Sequence, residues 1–273
     1  APVNWCEDCK TVLANEQVVE GHCERCGATV IQKEMEQWFF RITKYQDELI
    51  SGLDQVDWPA STKQQQLNWI GKSQGVEISF QVSQSHSIIT PTLLTCFTTR
   101  IDTVFGVSFL AISPEKLLEL DLISHLSPSH RARAKRYLKL AATKTEEERK
   151  IGEKNKTGVD TGLIALNPVN NEEIPIFVAD YVLASYGTGV LMGVPAHDER
   201  DELFARKHKL PIKPVIVSDL TQPTHYAKAE LGYLVNSGQF SSLSSLEAQR
   251  QIPKSFPEVM KETTNYKLRD WVF

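Results

Sequence analysis

Residues 186–201 read YGTGVLMGVPAHDERD, and the rest of the chain is organised around them. Gly187 and Gly189 let the backbone turn tightly. The short apolar run 190–194 has the pattern of a buried strand, which Pro195 breaks. From 196 to 210 the pattern predicts a helix, with Asp198, Glu199, Asp201 and Glu202 in its first turns. Arg206, Lys207, His208 and Lys209 crowd its last turn and Pro211 stops it, so the charges follow the helix dipole. Asp198 and Asp201, three residues apart, are expected on one side of that helix. The mouth of a buried strand then carries two carboxylates, a suitable place for a substrate ammonium group. Spacing alone favours a plainer reading, in which these acids cap the helix.

Working outward, Val76, Ile78, Phe80 and Val82 alternate with polar residues as a half-buried strand does. A second apolar run, 93–97, leads into Thr98-Thr99-Arg100-Ile101-Asp102-Thr103, and apolar residues resume up to Ile112. The hydroxyls of Thr98, Thr99 and Thr103 can bind a carbonyl, a ribose or a water. The alternative is plain β-propensity, since threonine suits strands and their turns. Ser113-Pro114-Glu115 starts a helix. The segment 131–144 holds six bases and no acid, the mark of a solvated helical face or, more sharply, of a phosphate contact. Turns are expected over 155–162, strands over 174–179, 181–184 and 212–217, and a short helix over 243–251.

At the other end of the chain, Cys6 and Cys9 form one CxxC pair, Cys23 and Cys26 a second, thirteen residues on. Two such knuckles place four sulfurs tetrahedrally around one ion, as structural zinc requires, and leave no open position for catalysis. A redox dithiol needs only one pair. Cys96 reads as a buried apolar residue. Trp38, Ile42, Tyr45 and Leu49 recur at helical spacing over 34–53, and a second helix runs to Ile70, closed by Gly71. Gly71-Lys72-Ser73 lacks the earlier glycine of a phosphate-binding loop, since residue 66 is Gln66. The run 266–273 is strand-like and uncapped, as expected of a piece cut from a longer protein.

Bulk properties exclude several classes. With 273 residues, 41% hydrophobic and 23% charged, the balance is globular, and a net charge of −4 gives no global field for nucleic acid. No apolar run approaches the ~18 residues of a membrane helix. The first residues have no signal-peptide character, and paired thiols fit a reducing compartment. A cytoplasmic protein with no membrane partner is expected.

Taken together, Val3-Asn4-Trp5-Cys6, TVLANEQ at 11–17, WIGKSQG at 69–75, Thr98-Thr99-Arg100 with Asp102-Thr103, GVDTG at 158–162, the 186–201 stretch and YKLRDW at 266–271 resemble bacterial-type leucyl-tRNA synthetases. The resemblance covers the whole chain. It implies an α+β fold with a twisted, β-barrel-like editing domain and flanking helices, plus a small zinc ribbon and a helical stem. The implied boundaries are a zinc-ribbon module at 1–35, a stem at 36–74, the editing domain at 75–264, and a strand at 265–273 returning to the catalytic core. Neither ATP signature of the family, HIGH or KMSKS, occurs in the chain, so ATP and leucyl-adenylate belong only to a full-length synthetase. The implied partners are the 3′ end of tRNA(Leu) and the remainder of the synthetase, and the implied metal is a structural zinc on Cys6, Cys9, Cys23 and Cys26.

The resemblance also implies roles. Asp201 binds the ammonium of a wrongly attached amino acid, with Asp198 close by. Thr98 and Thr99 hold the ester carbonyl, the ribose and the attacking water, in a peptide whose Arg100 and Asp102 also contact substrate. Thr103 is the gate that refuses leucine; Tyr186, Met192, Val194 and His197 line the pocket. Two residues depart from the family's pattern, Ile101 and Glu7, each where proline is usual, and the first loosens the threonine loop. A binding pocket discriminates by only ~1–3 kcal/mol per methylene, which is why a second, hydrolytic sieve is needed. An aminoacyl ester is already activated, so positioned water and a polarised carbonyl suffice without a dedicated strong base. The rival reading is a zinc-containing tRNA-binding module with no chemistry of its own.

Overall fold

The computed structural model describes residues 2–84, 87–142, 144, 148–149, 156–184, 187–221 and 231–272. It divides into two compact units, residues 1–71 with 266–273 and residues 72–265.

In the first unit, β1 (Pro2–Cys6) pairs with both β2 (Thr11–Leu13) and β5 (Val30–Glu34), while β3 (Val18–Val19) pairs with β4 (His22–Cys23). Among the described residues, the buried cluster around the cysteines is Cys6, Leu13 and Cys23 with Val18, Ala28 and Val30 packed against it, a small core that a staple would reinforce. The single helix expected over 34–53 is not there. β5 continues to Glu34, and β6 (Phe39–Phe40) pairs with β16 (Trp271–Val272), the one strand found where 266–273 was expected to be extended. Helical structure begins only with a 3₁₀ turn, Ile42–Tyr45, and α1 (Gln46–Gly52), in which no residue is buried. The aromatic pair prefers a ladder partner far along the chain to the local helical period. α2 (Ala60–Ile70) ends as expected, on Gly71 at φ 60°.

In the second unit, seven strands form one sheet among the described residues. They are β7 (Ser73–Gln84), β8 (Ser87–Thr98), β9 (Phe109–Ile112), β10 (Gly158–Leu166), β11 (Glu173–Ala179), β12 (Val190–Gly193) and β15 (Met260–Asn265), in the order β12-β9-β11-β10-β7-β15 with β8 also on β7. The long β7 shares one edge between β15 and β10, and its other edge carries β8. β9 and β11 run parallel; every other pair in the sheet is antiparallel. The sheet curls until β12 lies against β8, giving the barrel-like α+β form. The alternation read from 76 to 82 is the core face: Ile78, Phe80 and Val82 are fully buried with Leu94, Leu110, Ile112 and Ile176. Flanking this sheet are α3 (Pro114–Glu119), α4 (Pro128–Ala141), α5 (Glu199–His208) and α6 (Ser245–Ser255), with a small ladder of β13 (Ile216–Val217) and β14 (Tyr233–Leu234).

Several expectations for this unit are corrected. The turns expected over 155–162 give way to β10 from Gly158, whose ladder with β11 overrides the turn-prone composition and absorbs it as a bulge near Gly162, φ +72°. The residues 181–184 turn instead of extending, because β11 has already ended at Ala179 and Val182 N–H bonds back to its carbonyl. The strand expected over 212–217 shrinks to Ile216–Val217, and the helix near 243 starts from a Ser244–Glu247 capping box and runs through Pro253.

Candidate active site

The predicted helix over 196–210 is shorter than its pattern. Residues 195–198 form a turn, with the N–H groups of His197 and Asp198 both donating to Val194 O at 3.0 and 3.1 Å, and α5 begins at Glu199. It ends with Lys209 in the left-handed region, before Pro211 is reached. Phe204 anchors it, its ring 4.8 Å from Phe109 and 5.2 Å from Phe177. Gly193 makes room for this cluster, since a Cβ there would stand 2.2 Å from the Phe109 ring. Packing thus fixes the turn of helix carrying Asp201 against the end of β12.

The two acids then part company. Asp198 is the helix cap, its Oδ1 accepting from the N–H groups of Arg200 (2.8 Å) and Asp201 (3.1 Å), so the plain reading of this acid holds. Burial tends to raise its carboxyl, but hydrogen bonds from Arg200 outweigh that and hold it below the usual range. Asp201 points inward and is only 5% exposed. Its Oδ2 accepts from Val194 N–H at 2.9 Å and its Oδ1 from Lys156 Nζ at 2.8 Å. Burial pushes its carboxyl up despite the Lys156 charge, with Asp198 adding repulsion. The Lys156 side chain is only 6% exposed, its Nζ 4.4 Å from the centre of the Tyr181 ring. No signal near 156 in the sequence marks it, because its partner lies 45 residues on.

The threonine peptide leaves β8 as a tight turn. Thr98 Oγ1 accepts from Arg100 N–H (2.9 Å), which leaves its own proton free to donate. Thr103 Oγ1 donates to Arg100 O (2.8 Å), which fixes its rotamer. Among the described residues, Thr99 Oγ1 has no partner. Asp102 is fully buried, held by Arg100 Nε and Nη2 at 3.0 Å each and by Gln249 Nε2 of α6 at 3.1 Å. A 3₁₀ turn over Ile101–Gly106, buried throughout, carries the chain into β9.

Loop and helix mouth meet at one end of the sheet. Gly193 is the register partner of Phe109, and Gly106 sits against Val194. The Cys96 thiol, two residues before Thr98, lies beside the Met192 backbone and within reach of the Asp201 charge; burial pushes it up to about 12. A groove of about 410 Å³ is lined by Thr98, Thr99 and Ile101 together with Gln249, Glu262 and Thr264. Thr103, Met192, Val194, His197 and Asp201 do not line it and are all buried. His197 is tied down, its Nε2 accepting from the N–H groups of Val215 (3.0 Å) and Ile216 (3.2 Å). That nitrogen cannot take a proton without losing both bonds. Tyr186 lies outside the described residues.

In the first unit, the sulfurs of Cys6, Cys9, Cys23 and Cys26 all lie within 4.8 Å of one another. Zinc–sulfur bonds of about 2.3 Å in a tetrahedron put sulfurs about 3.8 Å apart, so the four fit one metal ion. Hydrogen bonds from the Cys26 and Arg25 backbones lower Cys23 to about 7, while thiol contacts to Cys26 and Cys6 push Cys9 up to about 12. Among the described residues no helix is long and apolar enough to cross a membrane.

Comparison with known proteins gives the family. Residues 1–117 match the family model described as tRNA synthetases class I (M). Residues 67–256 match the model of the leucyl-tRNA synthetase editing domain, and the chain belongs to the leucyl-tRNA synthetase family. Over its full length it is 46% identical to the leucine–tRNA ligase of Clostridium beijerinckii and 47% identical to that of Caldanaerobacter subterraneus. It spans 33% and 32% of those proteins, about a third of their length. A solved leucyl-tRNA synthetase, agnB2 LeuRS of Agrobacterium radiobacter K84 in a ternary complex with tRNA and LeuAMS, superposes over all of this chain and 30% of its own, with a TM-score of 0.71 and 32% identity.

Proposed function

We propose that this chain hydrolyses the ester between a non-leucine amino acid and the terminal adenosine of tRNA(Leu). The observation that supports the reading is that Thr98 and Thr99 line an open groove, while the Cys96 thiol two residues earlier lies within reach of the Asp201 charge. Thr98, already accepting from Arg100 N–H, has its proton to give to the ester carbonyl, and Thr99 and the substrate's ribose orient the water. Asp201 receives the ammonium, in competition with Lys156 for Oδ1. Thr103, at 3% exposure, gates at depth and refuses leucine's branched methyls. Met192, Val194, His197 and Tyr186 shape the wall, with Arg100 and Asp102 stiffening the loop. His197 takes no part in proton transfer.

The four cysteines hold a structural zinc ion in a ribbon at 1–35, 36–74 act as a stem, 75–264 as the editing domain, and 265–273 return to a catalytic core; in a full-length cytoplasmic protein that core joins leucine to tRNA with ATP. One observation favours the binding-only alternative: Asp201 already has its charge neutralised by Lys156.

Deacylation of isoleucyl-tRNA(Leu), and of a small adenosine ester of isoleucine, decides between them. Wild-type chain is expected to cleave both and to spare the leucyl forms. Asp201→Ala is expected to abolish turnover, and Thr103→Ala to admit leucine. Turnover retained by Asp201→Ala, or leucyl esters still spared by Thr103→Ala, refutes the corresponding role.

A further inference from the structure

The six bases in the acid-free run 131–144 have different fates in the structure. Arg131 turns back to donate to the carbonyls of Ile123, Ser124 and Leu126, and Lys144 pairs with Asp180. The other four, Arg133, Lys135, Arg136 and Lys139, stand exposed on the outer face of α4, and among the described residues none has an acidic partner. Such a face carries a cost. Arg133 with Arg136, and Lys135 with Lys139, are like charges at i,i+3 and i,i+4, spacings that destabilise a helix. The helix dipole favours a base only near the last turn, which accounts for Lys139 but not for Arg133 or Lys135. An ordinary solvated face interleaves acids with its bases, and this chain has 34 acids to 30 Lys and Arg to draw on.

The inner face of the same helix leads to the candidate anchor. Tyr137 Oη donates to Thr157 O at 2.9 Å and accepts from Asp180 N–H at 2.9 Å. The residue before Thr157 is Lys156, which pairs with Asp201. One helix diameter, about 10 Å, therefore separates the basic face from the backbone that positions the ammonium site.

We propose that Arg133, Lys135, Arg136 and Lys139 form a docking face for the phosphate backbone of the RNA whose 3′ end enters the site. This rests on the deacylase reading above, and names the surface that guides its substrate. Positive charge on an otherwise acidic chain complements a polyphosphate, and contacts of this kind fix register without reading sequence. Their signature is affinity that falls with salt in proportion to the phosphates engaged.

The test is a quadruple variant, Arg133→Gln, Lys135→Gln, Arg136→Gln and Lys139→Gln, in the full chain. Binding of uncharged tRNA(Leu) is followed by fluorescence anisotropy across a range of KCl concentrations, beside deacylation of isoleucyl-tRNA(Leu) and of the small adenosine ester. The variant is expected to bind tRNA roughly tenfold or more weakly at moderate salt, with a log–log salt slope shallower by about one per base removed. Its turnover of the small ester is expected to match wild type, which shows the site and fold intact. Unchanged tRNA affinity and slope overturn the proposal. So does an equal loss in a control variant with Lys207, Lys254 and Lys261 changed to Gln, or a loss of binding to phosphatidylserine vesicles with tRNA binding untouched. If wild type cleaves neither ester, the deacylase reading fails, and the anisotropy result still decides the docking face by itself.

Discussion

The cysteine knuckles and the acid mouth are both clusters of ionisable side chains, but they are assembled in opposite ways. In the knuckles every ligand comes from a short local turn, Cys6 with Cys9 and Cys23 with Cys26, and there is almost no apolar core around them. At the acid mouth the local pair separates, Asp198 capping its helix while Asp201 turns inward to Lys156, 45 residues away, beneath a core of packed phenylalanines. The first cluster has little core to hold it, and its four sulfurs fit one metal ion; the second is held by the fold. A charge that the fold positions can be tuned by burial, and Asp198 and Asp201 are accordingly moved in opposite directions.

The largest expected effect lies in the knuckles. Stripping metal with a chelator, or Cys23→Ser, is expected to unfold the ribbon altogether, since structural zinc supplies on the order of 10 kcal/mol in modules of this size. Circular dichroism and zinc release measure it, and the thermal transition of the second unit is expected to stay in place. A ribbon that stays folded without metal breaks the contrast. Next comes Lys156→Met, which leaves Asp201 buried and unpaired at a cost of about 3–5 kcal/mol. Urea denaturation checks this, and the double change with Asp201→Leu is expected to recover most of the loss; an unaffected single variant shows that the pair is held by something other than its charges.

The smallest effect concerns Asp180. Burial raises its carboxyl, but bonds from Lys144, Tyr137 and Thr157 outweigh this and hold it below the usual carboxylate range. A carboxyl lowered in the folded state adds stability that is present above its unfolded value and lost as pH falls through the folded one. Wild type is therefore expected to lose more stability below about pH 4 than Asp180→Asn, in urea titrations at stepped pH. Parallel pH curves for the two rule this contribution out.

What could be read directly was local. Spacing marks the cysteine pairs, the alternation from Val76 to Val82 marks a core face, and Gly71 and Ser113 mark helix ends, because in each case the partner lies within a few residues. What could not be read depended on distant partners. The strand pairing of Phe39–Phe40 with Trp271–Val272 erased a helix, the ladder of β10 with β11 turned expected turns into a strand, and Lys156 became visible only once folding set it beside Asp201. At the site, spacing put Asp198 and Asp201 on one side, whereas capping and burial send them to different partners.

The register of β7 with β15 has a further consequence. Ser73 and Asn265 are direct partners, so the polypeptide departs from the large unit beside the point where it came in. Opposed residues of antiparallel strands lie about 5 Å apart, a gap that many surface loops already span. A host protein can therefore carry this unit as a graft at a single loop, with little entropic penalty for closing the join. The same geometry lets the unit be lifted out between residues 72 and 265 and its ends joined by a short linker.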